Sequence, residues 1–141
     1  MSGDMSTTAE LVWRAGMQFD ATTGGHEFLV DGDKEHGASP MQHLLVALGG
    51  CMGIDITDIL AKMRTPVDSL RLSMVGERPD EPPRRFVAVT LTLHIEGEVP
   101  LRNVERAIAL SRDRYCSVWQ TFSQDTVLNV DVDLIPPTRP A

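Results

Sequence analysis

The chain has 141 residues, 42% of them apolar, and a formal net charge of −7 at pH 7, which is typical of one globular domain with a real core. The acidic balance argues against binding to nucleic acid or to an anionic membrane surface. We see no uninterrupted apolar stretch of membrane-spanning length and no basic, apolar leader, so we expect no membrane span and a cytoplasmic location.

The N-terminal part is predicted to form short strands. Residues 1–8 are polar and are expected to be disordered. Two strands are expected on either side of a turn at residues 14–16, and a third from His26, after the pair Gly24 and Gly25. A polar loop then follows over residues 31–37.

A long helix is predicted over residues 40–63. Ser39 is a typical N-cap, the proline after it suits the first helical position, and apolar residues recur at steps of three and four. The helix also contains Gly49, Gly50 and Gly53. Each glycine costs about 1 kcal/mol of helix stability relative to alanine, which indicates that another element approaches closely there.

The C-terminal part is predicted to contain strands and two more helices. Strands are expected at 70–77 and 87–96, helices at 101–114 and 116–122, and a last alternating strand at 127–135. This order predicts an α+β fold with antiparallel strands. We expect one domain over 9–136, followed by a tail at 137–141.

Two cysteines, Cys51 and Cys116, lie 65 positions apart in apolar, helix-like segments. Two thiols are too few for a disulfide framework or a structural zinc site. They are therefore either two packed core residues or one redox pair. Burial within the long helix favours an inert Cys51, because burial disfavours the thiolate.

Cys116 has the better local setting for a thiolate. It is expected to begin a helix, where backbone N–H groups and the helix dipole stabilise negative charge, and Arg112 and Arg114 are near in sequence. An ordinary residue at a helix start is the alternative. The four histidines show no metal-ligand spacing, and there is no nucleotide-binding glycine motif, so we expect no metal and no cofactor.

Four segments resemble a known family. Ser-Pro-Met-Gln-His-Leu-Leu-Val-Ala-Leu-Gly-Gly-Cys at 39–51 resembles the cysteine-bearing helix of the OsmC/Ohr family, and Arg-Asp-Arg-Tyr-Cys-Ser-Val at 112–118 resembles its second cysteine segment. Gly-Glu-Arg at 76–78 and Glu-Arg-Ala-Ile-Ala-Leu-Ser at 105–111 are similar to the YhfA-like branch. The resemblance covers roughly residues 10–135.

The resemblance implies both a fold and an activity. The fold is OsmC-like, with antiparallel sheets around a long central helix, in an intertwined homodimer whose active sites lie at the subunit interface. The activity is that of a thiol peroxidase that reduces organic hydroperoxides in oxidative stress defence and is itself reduced by a dithiol of the lipoyl type. Cys51 would be the peroxidatic cysteine and Cys116 the resolving cysteine.

The family activates its thiolate with an arginine from the N-terminal hairpin and a glutamate just after the helix proline. Arg14, in Arg-Ala-Gly, is the candidate arginine, whereas Met41 occupies the position of the glutamate. The missing carboxylate leaves two alternatives to the peroxidase. One is a dimer that binds an apolar ligand at its interface without turnover, and the other is a structural dimer with inert thiols.

Overall fold

The computed structural model describes residues 5–122 and 124–137. By its internal contacts the chain divides into an N-terminal unit, which ends at Leu44, and a C-terminal unit, which begins at Leu45. Part of the predicted disordered segment, 1–4, and most of the predicted tail, 138–141, lie outside the described residues. The single domain over 9–136 stays a prediction.

The N-terminal unit contains the three predicted strands. β1 (Glu10–Ala15), β2 (Gln18–Thr23) and β3 (His26–Asp31) form an antiparallel sheet in the order β1-β2-β3. The pair Gly24 and Gly25, with φ of 56° and 80°, forms the two-residue turn between β2 and β3. Both angles lie in the left-handed region that glycine adopts without steric cost.

The long helix, α1, runs from Pro40 to Lys62, as the sequence predicts. At its start the Gln42 backbone N–H donates to Ser39 Oγ (3.2 Å), and the Ser39 backbone N–H donates to Gln42 Oε1 (2.8 Å). This reciprocal pair is a capping box, which satisfies backbone donors that a helix start leaves without partners.

The C-terminal unit holds a second three-stranded sheet. It comprises β4 (Ser69–Glu77), β5 (Ala88–Glu96) and β6 (Val127–Ile135), in that order. β4 and β5 are antiparallel, but β5 and β6 are parallel, so the prediction of purely antiparallel strands is wrong for this pair. The segment between β5 and β6 is helical and long enough to cross back to the same end of the sheet, which makes a parallel neighbour possible.

That crossover contains three helical pieces. α2 spans Leu101–Leu110, continues into a π-helical turn over Ser111–Tyr115, and is followed by the short α3 at Ser117–Thr121. The α+β class expected from the sequence is confirmed by this arrangement of strands and helices.

The core of the C-terminal unit contains one face of α1 and one face of β5. α1 buries Leu48, Met52, Ile56 and Leu60 at steps of four, and β5 buries every second residue from Val89 to Ile95. A side chain at Gly49 would meet the Met74 sulfur, and one at Gly53 would meet Leu72 Cδ1 at 3.1 Å. The predicted close approach is confirmed at these two glycines and wrong at Gly50, which faces open space.

α1 also has apolar surface that the chain leaves uncovered. Val46 and Ile54 are 69% and 71% exposed. Within the described residues, α1 is the one helix that could cross a membrane by length and composition, with mean hydropathy 1.8 over its most apolar window. Core helices of water-soluble proteins have the same property, so the absence of a membrane span stays a prediction.

Candidate functional site

Cys51 and Asp55 share one face of α1. They are four residues apart, so their side chains lie one above the other on the helix. Both are partly exposed, whereas the neighbouring Met52 and Ile56 are buried in the core. The core side of α1 therefore fixes the rotation of the helix, which places the thiol and the carboxylate together at the edge of the packed interior.

Cys116 lies between the π-helical turn and α3. Its backbone N–H donates to the Ser111 carbonyl oxygen at 2.7 Å, the last bond of the π-helical turn. Its side chain caps α3, because the Trp119 backbone N–H donates to Cys116 Sγ at 3.3 Å. The residue is completely buried, and the predicted helix start at this position is confirmed.

The fold brings the two sulfurs together with a carboxylate. Cys51 Sγ, Cys116 Sγ and one carboxylate oxygen of Asp55 all lie within 4.8 Å of one another. Both cysteines are free thiols. The segments that the sequence separates by 65 positions are thus neighbours in the C-terminal unit.

Ser111 makes hydrogen bonds both to α1, which bears Cys51, and to the backbone of Cys116. Ser111 is completely buried, and its hydroxyl donates to Asp55 Oδ2 at 2.9 Å. A buried hydroxyl without a partner would be costly, so this bond satisfies the serine and fixes the carboxylate at the same time.

The surroundings of Cys116 disfavour its thiolate. Burial is the main cause that raises the pKa of the Cys116 thiol to about 11, and Cys51 and Asp55 raise it further, while the Trp119 N–H lowers it. The sequence-based expectation that the helix start gives Cys116 a stabilised thiolate is therefore wrong. One N–H at the start of a five-residue helix does not offset the loss of water around the sulfur.

Arg14 lies in the N-terminal unit, where the β1 register shifts between Trp13 and Ala15. Its guanidinium donates to both carboxylate oxygens of Asp20, from Nη2 at 2.8 Å and from Nε at 3.2 Å. This hydrogen-bonded pairing raises the pKa of the arginine. Both side chains are about half exposed, at 56% and 48%.

Three residues of interest were missed by the sequence analysis. Asp55 had a usable signal, since a carboxylate four residues after a helical cysteine must share its face. Ser111 had none, because its bond to Asp55 joins residues 56 positions apart. Asp20 had none, because its pairing with Arg14 depends on the register of β1 with β2. Gln42, which adjoins the glutamate position of the family, is engaged in the capping box of α1.

The cluster of Cys51, Asp55 and Cys116 could also supply ligands to a soft divalent cation. Two thiolates and a carboxylate are donors that zinc accepts, and the three donor atoms are close enough to share one ion. Three protein ligands would leave a fourth position open.

The comparisons with known proteins identify the family. The sequence profile of the OsmC-like protein family matches residues 31–131, which is more than half of the chain. The chain belongs to the OsmC-like family. Protein YhfA of Escherichia coli is 36% identical to this OsmC-like chain over 113 residues, which cover 78% of the chain and 84% of that protein.

Solved structures show the same fold. A hypothetical protein from Aquifex aeolicus superposes with a TM-score of 0.87 at 27% identity, covering 94% of this OsmC-like chain and 98% of its own. The organic hydroperoxide resistance protein OhrB of Bacillus subtilis has a TM-score of 0.61 at 12% identity, with 92% and 98% covered. The resemblance to the OsmC/Ohr family and its YhfA-like branch is thus confirmed.

Proposed function

We propose that this OsmC-like protein is a thiol peroxidase that reduces organic hydroperoxides with the Cys51/Cys116 pair. The observation that carries the proposal is the proximity of the two free thiols, whose sulfurs lie within 4.8 Å. Structural relatives such as OhrB, an organic hydroperoxide resistance protein by name, support the substrate class. A role in cytoplasmic oxidative stress defence belongs to the same proposal.

The reaction would use each sulfur once. The Cys51 thiolate attacks the peroxide oxygen distal to the alkyl group, the O–O bond breaks, and the alkoxide leaves as an alcohol after taking a proton. Cys51 becomes a sulfenic acid. The Cys116 sulfur then attacks Cys51, which forms a disulfide and releases water, and a dithiol of the lipoyl type would reduce the disulfide.

Burial supports this assignment of roles. Cys51 is partly exposed and can meet a peroxide, whereas Cys116 is completely buried and has a thiol pKa raised to about 11. A nucleophile must be a thiolate at working pH. Because Cys116 is also closed off from solvent, Cys51 is the sulfur proposed to meet the peroxide, and Cys116 is the one proposed to close the disulfide.

Arg14 is proposed to stabilise the Cys51 thiolate. The family glutamate that would orient this arginine is replaced by Met41, but Asp20 holds the guanidinium through two hydrogen bonds. We propose that Asp20 takes over the orienting role. A bidentate arginine–carboxylate pair has a fixed geometry, which is what an orienting partner must supply.

A homodimer is also proposed, because each unit leaves apolar surface uncovered. In the C-terminal unit an apolar groove of about 500 Å³ lies between α1 and β4, lined by Val46, Ile54, Leu70 and Leu72 together with the three helix glycines. In the N-terminal unit Leu11, Val12 and Trp13 are all more than half exposed. Surfaces of this kind mark contacts with a partner. Light scattering should give twice the chain mass of 15.5 kDa.

The test of the peroxidase uses thiol counts. Reduced protein mixed with a modest excess of cumene hydroperoxide should lose both thiols, and Cys51→Ser should lose the reaction with peroxide. Cys116→Ser should stop after one turnover with a sulfenic acid at Cys51, which a dimedone-type probe labels. Survival of both thiols in the unmodified protein, or a peroxide-reactive Cys51→Ser, would overturn the proposal.

The apolar groove favours a second candidate, a dimer that binds an apolar ligand without turnover. Its lining of aliphatic side chains and glycines offers an apolar ligand a complementary surface. Native mass spectrometry of the purified protein would reveal a co-purified lipid. Such a lipid, together with no peroxide consumption, would favour this candidate over the peroxidase.

A further inference from the structure

A carboxylate lies beside both sulfurs, and the reaction proposed above does not use it. We propose that Asp55 is the general base, and then the general acid, of the step that closes the Cys51–Cys116 disulfide, with Ser111 as its positioning residue. The peroxide version of this step rests on the proposed function, whereas the proton transfer itself can be tested without peroxide.

The closing step needs a proton acceptor. The Cys116 thiol must lose its proton as its sulfur attacks, because the thiolate is the nucleophilic form of cysteine. The side chain is also completely buried, so bulk water is a poor acceptor for its proton. Among the described residues whose ionisation acts on Cys116, Asp55 is the one carboxylate.

The position of Asp55 suits proton transfer. One of its oxygens lies within 4.8 Å of both sulfurs, a separation that one water molecule or a small side-chain movement bridges. The Ser111 hydroxyl holds Oδ2, which limits rotation of the carboxylate. Ser111 also accepts a hydrogen bond from the Cys116 backbone N–H at its carbonyl oxygen. A single buried residue thus fixes both the base and the thiol.

The step balances without a further reactant. As the Cys116 sulfur attacks the sulfur of the Cys51 sulfenic acid, Asp55 accepts the proton of the Cys116 thiol. The S–S bond forms as the S–O bond breaks, and the leaving hydroxide takes the proton from Asp55 and departs as water. Cys51 and Cys116 end as a disulfide, and Asp55 returns to its carboxylate form.

The test uses an aromatic disulfide reagent that releases a coloured thiolate. The first release reports attack by the accessible Cys51, and the second reports attack by Cys116 on the mixed disulfide at Cys51. Asp55→Asn should slow the second release by about 10²-fold or more, the usual contribution of a general base. Asp55→Glu keeps a carboxylate and should retain most of the rate. Asp58→Asn, on the exposed side of α1, is the matched control and should behave as the unmodified protein.

The pH dependence of the unmodified protein is a second readout that needs no variant. If Asp55 removes the proton, the rate of the second release changes little with pH around neutrality, because the base is part of the site. If the thiol ionises to solvent instead, the rate rises tenfold per pH unit. The tenfold rise, or an Asp55→Asn variant as fast as the unmodified protein, would overturn the proposal.

Ser111→Ala tests the positioning role. It should slow the second release by a smaller factor, about 10-fold, with the first release unchanged and the flat pH profile retained, because the base is still present. If Cys116→Ser forms no sulfenic acid with cumene hydroperoxide while Asp55→Asn still slows the second release, the peroxidase is contradicted and the role of Asp55 is supported. The peroxidase and the role of Asp55 are thus tested by separate measurements.

Discussion

The two units of the chain bury their apolar residues very differently. Among the described residues, Ala21 is the one buried apolar side chain of the N-terminal unit, whereas the C-terminal unit buries fourteen. The N-terminal sheet instead exposes Leu11 and Trp13 on one face of β1 and Val12 on the other.

The C-terminal unit therefore has its own hydrophobic core, whereas the N-terminal unit leaves most of its apolar side chains in contact with solvent. A sheet becomes stable by packing a hydrophobic face, and β1 instead exposes apolar side chains on both of its faces. The C-terminal unit buries one face of α1 and one face of β5, and its two sulfurs lie within 4.8 Å of each other. Both cysteines lie in the C-terminal unit, whereas apolar surface is exposed in both units, on α1 in one and on β1 in the other.

The largest expected effect comes from a charge on the exposed apolar strand. Leu11→Glu should convert the proposed dimer to a monomer at micromolar concentration, because a carboxylate would be buried in an apolar interface. Light scattering measures the mass, and Lys34→Glu, in an exposed polar loop, is the control that should leave the assembly unchanged. A dimer that persists in Leu11→Glu would show that β1 does not need a partner.

The core of the C-terminal unit gives the next largest effect. Leu93→Ala should lower the free energy of unfolding by about 2–5 kcal/mol, because Leu93 is completely buried on β5 and its truncation leaves a cavity. Thr92→Ala, on the opposite face of the same strand, should change it by less than about 1 kcal/mol. Denaturant unfolding measures both, and equal effects would contradict the one-sided core.

Gly49 and Gly50 are neighbours on α1, but β4 covers only the first of them. Gly49→Ala brings a methyl group against the Met74 sulfur, whereas Gly50→Ala meets nothing within 4 Å. Both changes gain the same helix propensity, so Gly49→Ala should be less stable by about 1–3 kcal/mol. Thermal unfolding of the two variants measures the difference. A difference near zero would mean that Met74 moves aside without cost.

The smallest effect concerns the polar anchor of the N-terminal unit. Asp31 is buried, and hydrogen bonds from the backbone N–H groups of His36 and Asp33 lower the pKa of its carboxyl. A lowered pKa means that the stabilisation is complete above the ordinary carboxyl pKa of about 4 and is lost as pH falls through the lowered value.

Protection of the amides in the loop after β3, measured relative to their intrinsic exchange rate at each pH, should therefore fall only in acid. Asp31→Asn should already show fast exchange of the loop amides at neutral pH, since the neutral side chain is a weaker acceptor. Exchange in Asp31→Asn that matches the unmodified protein at neutral pH would contradict the anchoring role.

The elements of the fold were predictable, and the direction of one strand was not. Alternation identifies β4, β5 and β6, and the steps of three and four identify α1, because burial of one face acts directly on the sequence. The parallel pairing of β6 depends on where the helical crossover returns the chain. The local pattern of residues Val127–Ile135 carries no information about that.

The candidate site was predictable in its sulfurs and not in its environment. The pairing of Cys51 with Cys116 came from the family resemblance, and Asp55 could have been added from helix spacing. The raised pKa of Cys116 could not have been predicted, because it follows from burial by elements distant in the chain. The partners of Arg14 and Asp55 likewise depend on the register of β1 with β2 and on the packing of α1 against the π-helical turn.

The π-helical turn makes the position of Cys116 sensitive to chain length. A π-helical turn is an α-helical segment with one residue inserted, and each residue turns an α-helix by about 100°. Deletion of a single residue within Ser111–Tyr115 would let α2 continue as a regular helix and carry the second sulfur about a quarter-turn or more around its axis. A one-codon deletion should therefore separate the two thiols even though both cysteines are still present in the chain.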